Sequence, residues 1–184
     1  MQLGMGRFMR IRLRQLAAFV VLTAGLVGVP TAIASGVDTT TTFTVTSGAL
    51  SISAPVSATL GSGSAGTNIG PSPIGAVTVT DDRALLSASW TTTVSSTDFT
   101  TGGGTPAETI PASDVGYDPG SITTTGTITA TGTPVTLSNS AQSAVTGTSG
   151  VGDNTASWNP SITVAVPAAA VGGTYTGTVI HSVA

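Results

Sequence analysis

The sequence predicts an all-β protein: a single, mostly antiparallel β-sandwich behind an N-terminal signal peptide. Three observations lead there. Apolar residues recur at every second position in short runs, the spacing of strands with one buried face. Gly, Pro, Asn and Asp punctuate those runs every eight to twelve residues or so, as turns require. Finally, only 7% of the chain is charged while 40% is hydrophobic. Threonine reconciles the two figures, because its branched Cβ favours strands and its hydroxyl keeps the outer face wet. Beyond position 34 no segment sustains the 3.6-residue period of a helix.

The first 34 of the 184 residues differ from the rest. Arg7, Arg10, Arg12 and Arg14 precede an apolar run, LAAFVVLTAGLVGV, from Leu16 to Val29. Pro30 and a small-residue exit, Ala32-Ile33-Ala34, follow. That order is the order of a secretory signal peptide, with cleavage expected after Ala34. The alternative is an uncleaved N-terminal anchor, although the run is shorter than the roughly 20 residues of a membrane span. No twin-arginine pair is present, so the general secretory route is expected. The mature domain would be 35–184, enough for one domain with a sizeable core.

Cleavage leaves Arg83 against all eight acids, a net charge of −7 with His neutral. With no lysine and one arginine, nucleic acid is not an expected partner, because phosphate backbones demand cations. Membrane contact is expected only through the signal peptide before cleavage. Cysteine is absent, which excludes disulfides, Cys-ligated zinc and thiol catalysis.

Strand by strand, Phe43-Thr44-Val45 reads as the first extended piece. Leu50, Ile52, Ala54, Val56, Ala58 and Leu60 are in phase, but Pro55 makes their run an edge strand or two short ones. Gly61 to Pro73 reads as a loop. A hairpin is expected next: a strand with Val77 and Val79 in phase, a tight turn at Asp81-Asp82, and a strand from Ala84 to Val94. In the second strand Leu86, Ala88, Trp90, Thr92 and Val94 share a face, and Arg83 is placed to pair with a neighbouring acid. Phe99 to Asp118 is looser. Ile122 and Ile128 share a phase; Val135 and Leu137 follow a turn at Gly132-Thr133-Pro134. Ser138 to Gly152, small and polar, reads as a loop or an irregular edge strand. Trp158, Pro160, Ile162, Val164 and Val166 then share one face. After the AAAVGG turn, Tyr175, Gly177, Val179, His181 and Val183 share another.

Little of this is catalytic chemistry. His181 is the only histidine, no G-x-S-x-G elbow occurs, and its phase with Tyr175 and Val179 makes it a sheet-face residue. Asp81, Asp82, Asp98, Glu108, Asp114, Asp118 and Asp153 could supply paired carboxylates for glycoside hydrolysis. All sit at turns or strand ends, where Asp is an ordinary turn former. Asp114 and Asp118 share a loop, but no calcium-loop motif surrounds them. No metal, cofactor or catalytic residue is assigned. Trp90 and Trp158, the two tryptophans, lie on apolar phases and read either as core anchors or as faces for a glycan or partner.

The hairpin VTVTDDRALLSASWTTTVSSTDF, the IPAS at Ile110 to Ser113 and the close WNPSITVAVPAAAVGGTYTGTVIHSVA resemble the WxL-domain surface proteins of Gram-positive bacteria. The likeness covers nearly all of residues 35–184. It implies a secreted protein held non-covalently to the cell wall, with peptidoglycan as the target. Trp90-Thr91-Thr92 stands where the family's first W-x-L triplet would be, and His181-Ser182-Val183 where the second would be. Only the first keeps its tryptophan, and neither keeps its leucine. Trp90, Thr92, His181 and Val183 are therefore the expected wall-binding residues. The chain ends just after a strand, with no L-P-x-T-G motif, so attachment is expected through a folded face.

The expected function is a secreted, non-enzymatic, cell-wall-associated protein whose partners are a wall polymer and other surface proteins. Two alternatives stand beside it: a subunit assembling into a surface layer or fibre by edge-strand pairing, and a wall-glycan hydrolase using loop carboxylates.

Overall fold

A computed structural model describes residues 36–184. The expected signal peptide, residues 1–34, lies outside the described residues. Phe43–Ala184 forms a compact unit, and it is all-β, built of antiparallel sheets packed on one another.

Eleven strands occur among the described residues: β1 Leu50–Ser53, β2 Asn68–Pro73, β3 Val77–Ser96, β4 Phe99–Thr100, β5 Thr109–Ile110, β6 Val115–Asp118, β7 Ile122–Gly132, β8 Val135–Thr136, β9 Gln142–Trp158, β10 Ser161–Ala165 and β11 Val179–Val183. The larger sheet runs β1-β3-β9-β7, with β11 also on β3. The smaller runs β2-β10-β6-β8, and β4-β5 makes a two-stranded piece.

The alternating apolar stripes close into two clusters. One joins the sheets: Val94 and Ala144 of the larger meet Val115, Tyr117, Ile162 and Val164 of the smaller, with Phe99, Ile110 and Leu137. The other gathers Val77, Val79, Trp90, Val145, Ala156 and Trp158. Burial at this scale is the main favourable term in a chain without disulfides.

Several sequence expectations give way here. No hairpin turns at Asp81-Asp82. The chain instead continues as one strand of 20 residues, β3. Asp81 is buried, and its carboxylate takes two hydrogen bonds from the Arg83 guanidinium, at 2.8 and 2.9 Å. Arg83 also donates to Ser89 O at 2.9 Å, bridging the bulged stretch between. The pairing holds the Asp81 carboxyl below its usual range. Bulges between Asp81 and Ala88 break the period, so Leu86 leaves the expected face and is 86% exposed.

Ser138 to Gly152 is neither loop nor edge. Most of it belongs to β9, which lies between β3 and β7. Its small residues answer to its neighbours: a Cβ on Gly147 would press into the Trp90 indole, and one on Gly150 would sit 2.8 Å from the Ala88 Cβ. Asn68–Pro73, within the expected loop, is a strand. Phe43–Val45 is not a strand; it is exposed and irregular. The run from Leu50 to Leu60 is strand only as far as Ser53, just short of Pro55. Trp158 and Ile162 do not share a strand: Trp158 closes β9 in the larger sheet and Ile162 lies in β10 of the smaller.

Candidate functional site

The structure brings the four sequence-named residues together but turns them largely inward. The second half of β3 pairs with β11 on one side and β9 on the other. Val183 lies opposite Thr92, His181 opposite Val94 and Trp90 opposite Gly147. The two W-x-L-like triplets are thus neighbours on paired strands. Trp90 is only 3% exposed and Thr92 1%. The Thr92 hydroxyl is used within the ladder, donating to Val145 O at 3.2 Å and accepting from Val145 N–H at 3.1 Å. Neither side chain offers a face to a polymer. His181 and Val183 are half-buried.

Beneath β11 lies a chain of aromatic and polar contacts that sequence reading did not anticipate. Trp158 Nε1–H donates to the Tyr117 hydroxyl at 3.0 Å, and that hydroxyl lies 3.2 Å from His181 Nε2. The Tyr117 hydroxyl therefore serves two partners at once, and the imidazole tautomer sets which of the Tyr117–His181 pair donates. The Tyr117 and His181 rings are tilted 56° apart at 5.6 Å. Burial pushes the Tyr117 hydroxyl up to about 12, against the smaller opposing pull of the Trp158 N–H. Burial likewise lowers His181 below its ordinary value. Among the described residues no serine or carboxylate bonds to His181.

A concave surface lies elsewhere. A cavity of about 620 Å³ opens beside the inter-sheet cluster. Its walls come from the loop 58–65 and from residues 170–177, two segments far apart in sequence. Leu60, Ile69, Phe99, Ile110 and Val164 give it an apolar floor. Serine and threonine hydroxyls, glycines and Tyr175 share the rest with Val166, Val171 and three alanines, and no acid or base is among the lining residues. The shape depends on glycine: a Cβ at Gly177 would meet the Phe99 ring at 2.8 Å. Tyr175 fixes one wall, its hydroxyl lying 2.9 Å from Val171 O and 3.1 Å from Ala107 O.

Three of the loop carboxylates accept local hydrogen bonds. Asp98 Oδ1 accepts from Ala112 N–H, Asp118 Oδ1 from Gly120 N–H, and Glu108 from the N–H and hydroxyl of Thr105. Among the described residues no group of three His, Asp or Glu side chains is arranged to hold a metal ion. No family model, curated protein or solved structure matches the chain.

Proposed function

We propose that this is a secreted, non-enzymatic cell-surface protein that associates non-covalently with a cell-wall polymer. The observation carrying this reading is the groove, apolar in its floor, hydroxyl-rich at its margins and lined without charge. Such a surface suits a neutral, extended ligand. Apolar floor meets the C–H faces of sugar or peptide units, while hydroxyls and backbone groups meet their polar atoms. The resemblance to WxL-domain proteins and the export signal point the same way. The contact surface, however, is assigned to the groove and not to Trp90 and Thr92. Hydrolysis is the weaker reading, because the groove is lined by no carboxylate, and of the seven candidates Asp81 is paired with Arg83 while Asp98, Glu108 and Asp118 accept local hydrogen bonds.

The test is co-sedimentation of the exported protein with isolated cell walls. Val171 lines the groove and is 45% exposed, so Val171→Asp places a charge there at little cost to folding. Retention is expected to fall at least tenfold in the variant while its circular dichroism stays unchanged. Equal retention of the two proteins would remove the groove from the account.

A further inference from the structure

We propose that the segment Phe43–Thr46 of one copy adds as a strand to the free edge of β7 in a second copy, so that the protein assembles head to tail. This stands apart from wall binding and uses no groove residue.

The acceptor is the outer edge of the larger sheet. β7 pairs only with β9, and the strand order ends there. It is 11 residues long, ITTTGTITATG, with neither a charged residue nor a proline. Natural sheet edges are normally guarded by lysine, proline or brevity. The other borders are shorter or carry proline: β8 has two residues, β2 carries two prolines, β1 has four residues and β11 five. β7 is long and unguarded. Beyond the Gly126 bulge its inward side chains are Ile128 and Ala130, packed at the rim of the Trp90 cluster and still partly exposed.

The donor is the stretch before β1. Phe43 and Val45 alternate with Thr42, Thr44 and Thr46, the pattern of a strand with one apolar face. Yet the segment lacks strand structure, and Phe43 is 91% and Val45 74% exposed. Large apolar residues so exposed, in an alternating pattern, call for a partner. Laid beside β7, Phe43 and Val45 repeat the two-residue spacing of Ile128 and Ala130. They would extend the same apolar face, leaving threonines on the outer one. The backbone hydrogen bonds supply affinity and the alternate side chains fix the register.

A chain cannot do this to itself. Gly48 N–H donates to Asp82 O and Asp82 N–H to Ala49 O, so the segment is anchored at the β1 side of β3. A strand added outside β7 lies four strand spacings from β1, about 19 Å. With Phe43–Thr46 engaged, only Ser47 remains as tether, reaching about 7 Å between its neighbours. The partner is therefore a second copy. Donor and acceptor are different surfaces, so the contact is heterologous and propagates into a filament unless a ring closes.

The experiment uses protein exported from cells expressing the full sequence and follows association by sedimentation velocity without cell walls. Wild type should form a concentration-dependent series of oligomers. Thr44→Pro removes an amide donor from an exposed segment without backbone partners and should be monomeric. The double variant Thr127→Lys/Thr129→Lys guards the β7 edge from its exposed face and should also be monomeric. Mixed, the two should give a one-to-one dimer and nothing larger, because one retains the donor and the other the acceptor. Circular dichroism of each variant confirms folding. A monomeric wild type, a Thr44→Pro variant that still self-associates, an edge variant that still self-associates, or no dimer on mixing would each overturn the proposal. Wall retention measured at monomeric concentrations is unaffected by any of these outcomes.

Discussion

Replacing Tyr117 by Phe removes one oxygen atom from the core and separates the contacts that depend on it. Tyr117 is 1% exposed and Trp158 3%, so the indole N–H left behind has no access to water. An unsatisfied buried donor costs about 1–3 kcal/mol. The loss at His181 is smaller, on the order of 0.5–1 kcal/mol, because that ring is half-buried and water can serve Nε2. The variant should therefore lose about 1.5–4 kcal/mol at pH 7, which at roughly 2–4 °C per kcal/mol is about 3–16 °C in Tm. The alkaline limb gives a second signature. An unfolded tyrosine ionises near its ordinary 10, whereas in the fold Tyr117 holds its proton to about 12. Between these values the unfolded chain releases its proton first. The tyrosine's contribution is thus fully present below pH 10 and lost as pH rises toward 12. That difference is worth about 2–3 kcal/mol. The chain has no lysine or cysteine to titrate in the same range. Urea unfolding followed by tryptophan fluorescence, at pH 7 and from pH 9.5 to 11.5, measures both quantities. A Tyr117→Phe protein within about 0.5 kcal/mol of wild type at pH 7, with a parallel alkaline limb, would refute the reasoning.

Other expectations follow from neighbouring contacts. Gly147→Ala puts a Cβ 2.6 Å from Trp90 Cζ2 and 2.7 Å from its Nε1; overpacking of this kind costs about 1–3 kcal/mol, and equilibrium unfolding should show the cost shrinking when Trp90 is also replaced by Leu. Arg83→Ala leaves the buried Asp81 carboxylate unpaired and should destabilise by about 3–5 kcal/mol, whereas Arg83→Met with Asp81→Asn should cost clearly less; denaturation midpoints of the three proteins decide it. On the acid side, burial lowers His181 below its ordinary 6.5. The unfolded chain therefore takes up a proton first, and stability present above about pH 6.5 is lost as pH falls. Replacing His181 by Gln should flatten the dependence between pH 7 and 5, read from urea midpoints.

The class of fold was legible because alternation is a local signal. Val77, Val79 and Val94 are all buried where their phase placed them. From Tyr175 to Val183 the half-buried and exposed positions alternate without a break. What escaped was non-local. β9 looks like a loop because its residues are small, and their smallness has its reason in Trp90 and Ala88 on a strand some 60 positions earlier in the chain. Asp81-Asp82 looks like a turn because aspartate forms turns; only the closed pair with Arg83 lets Asp81 sit inside a strand. The groove joins two segments about a hundred residues apart, and no periodicity reports that meeting. The apolar phase of Trp90 favours an anchor over a ligand face, and the close approach of Gly147 to its ring decides for the anchor.

Attachment to the wall through an uncharged groove, as proposed above, is tested by its dependence on ionic strength. Retention of the exported protein on isolated walls should change less than about twofold between 0.05 and 1 M NaCl, since contacts without charge are not screened. Retention that collapses at high salt, or that the Val171→Asp protein keeps in full, would contradict it.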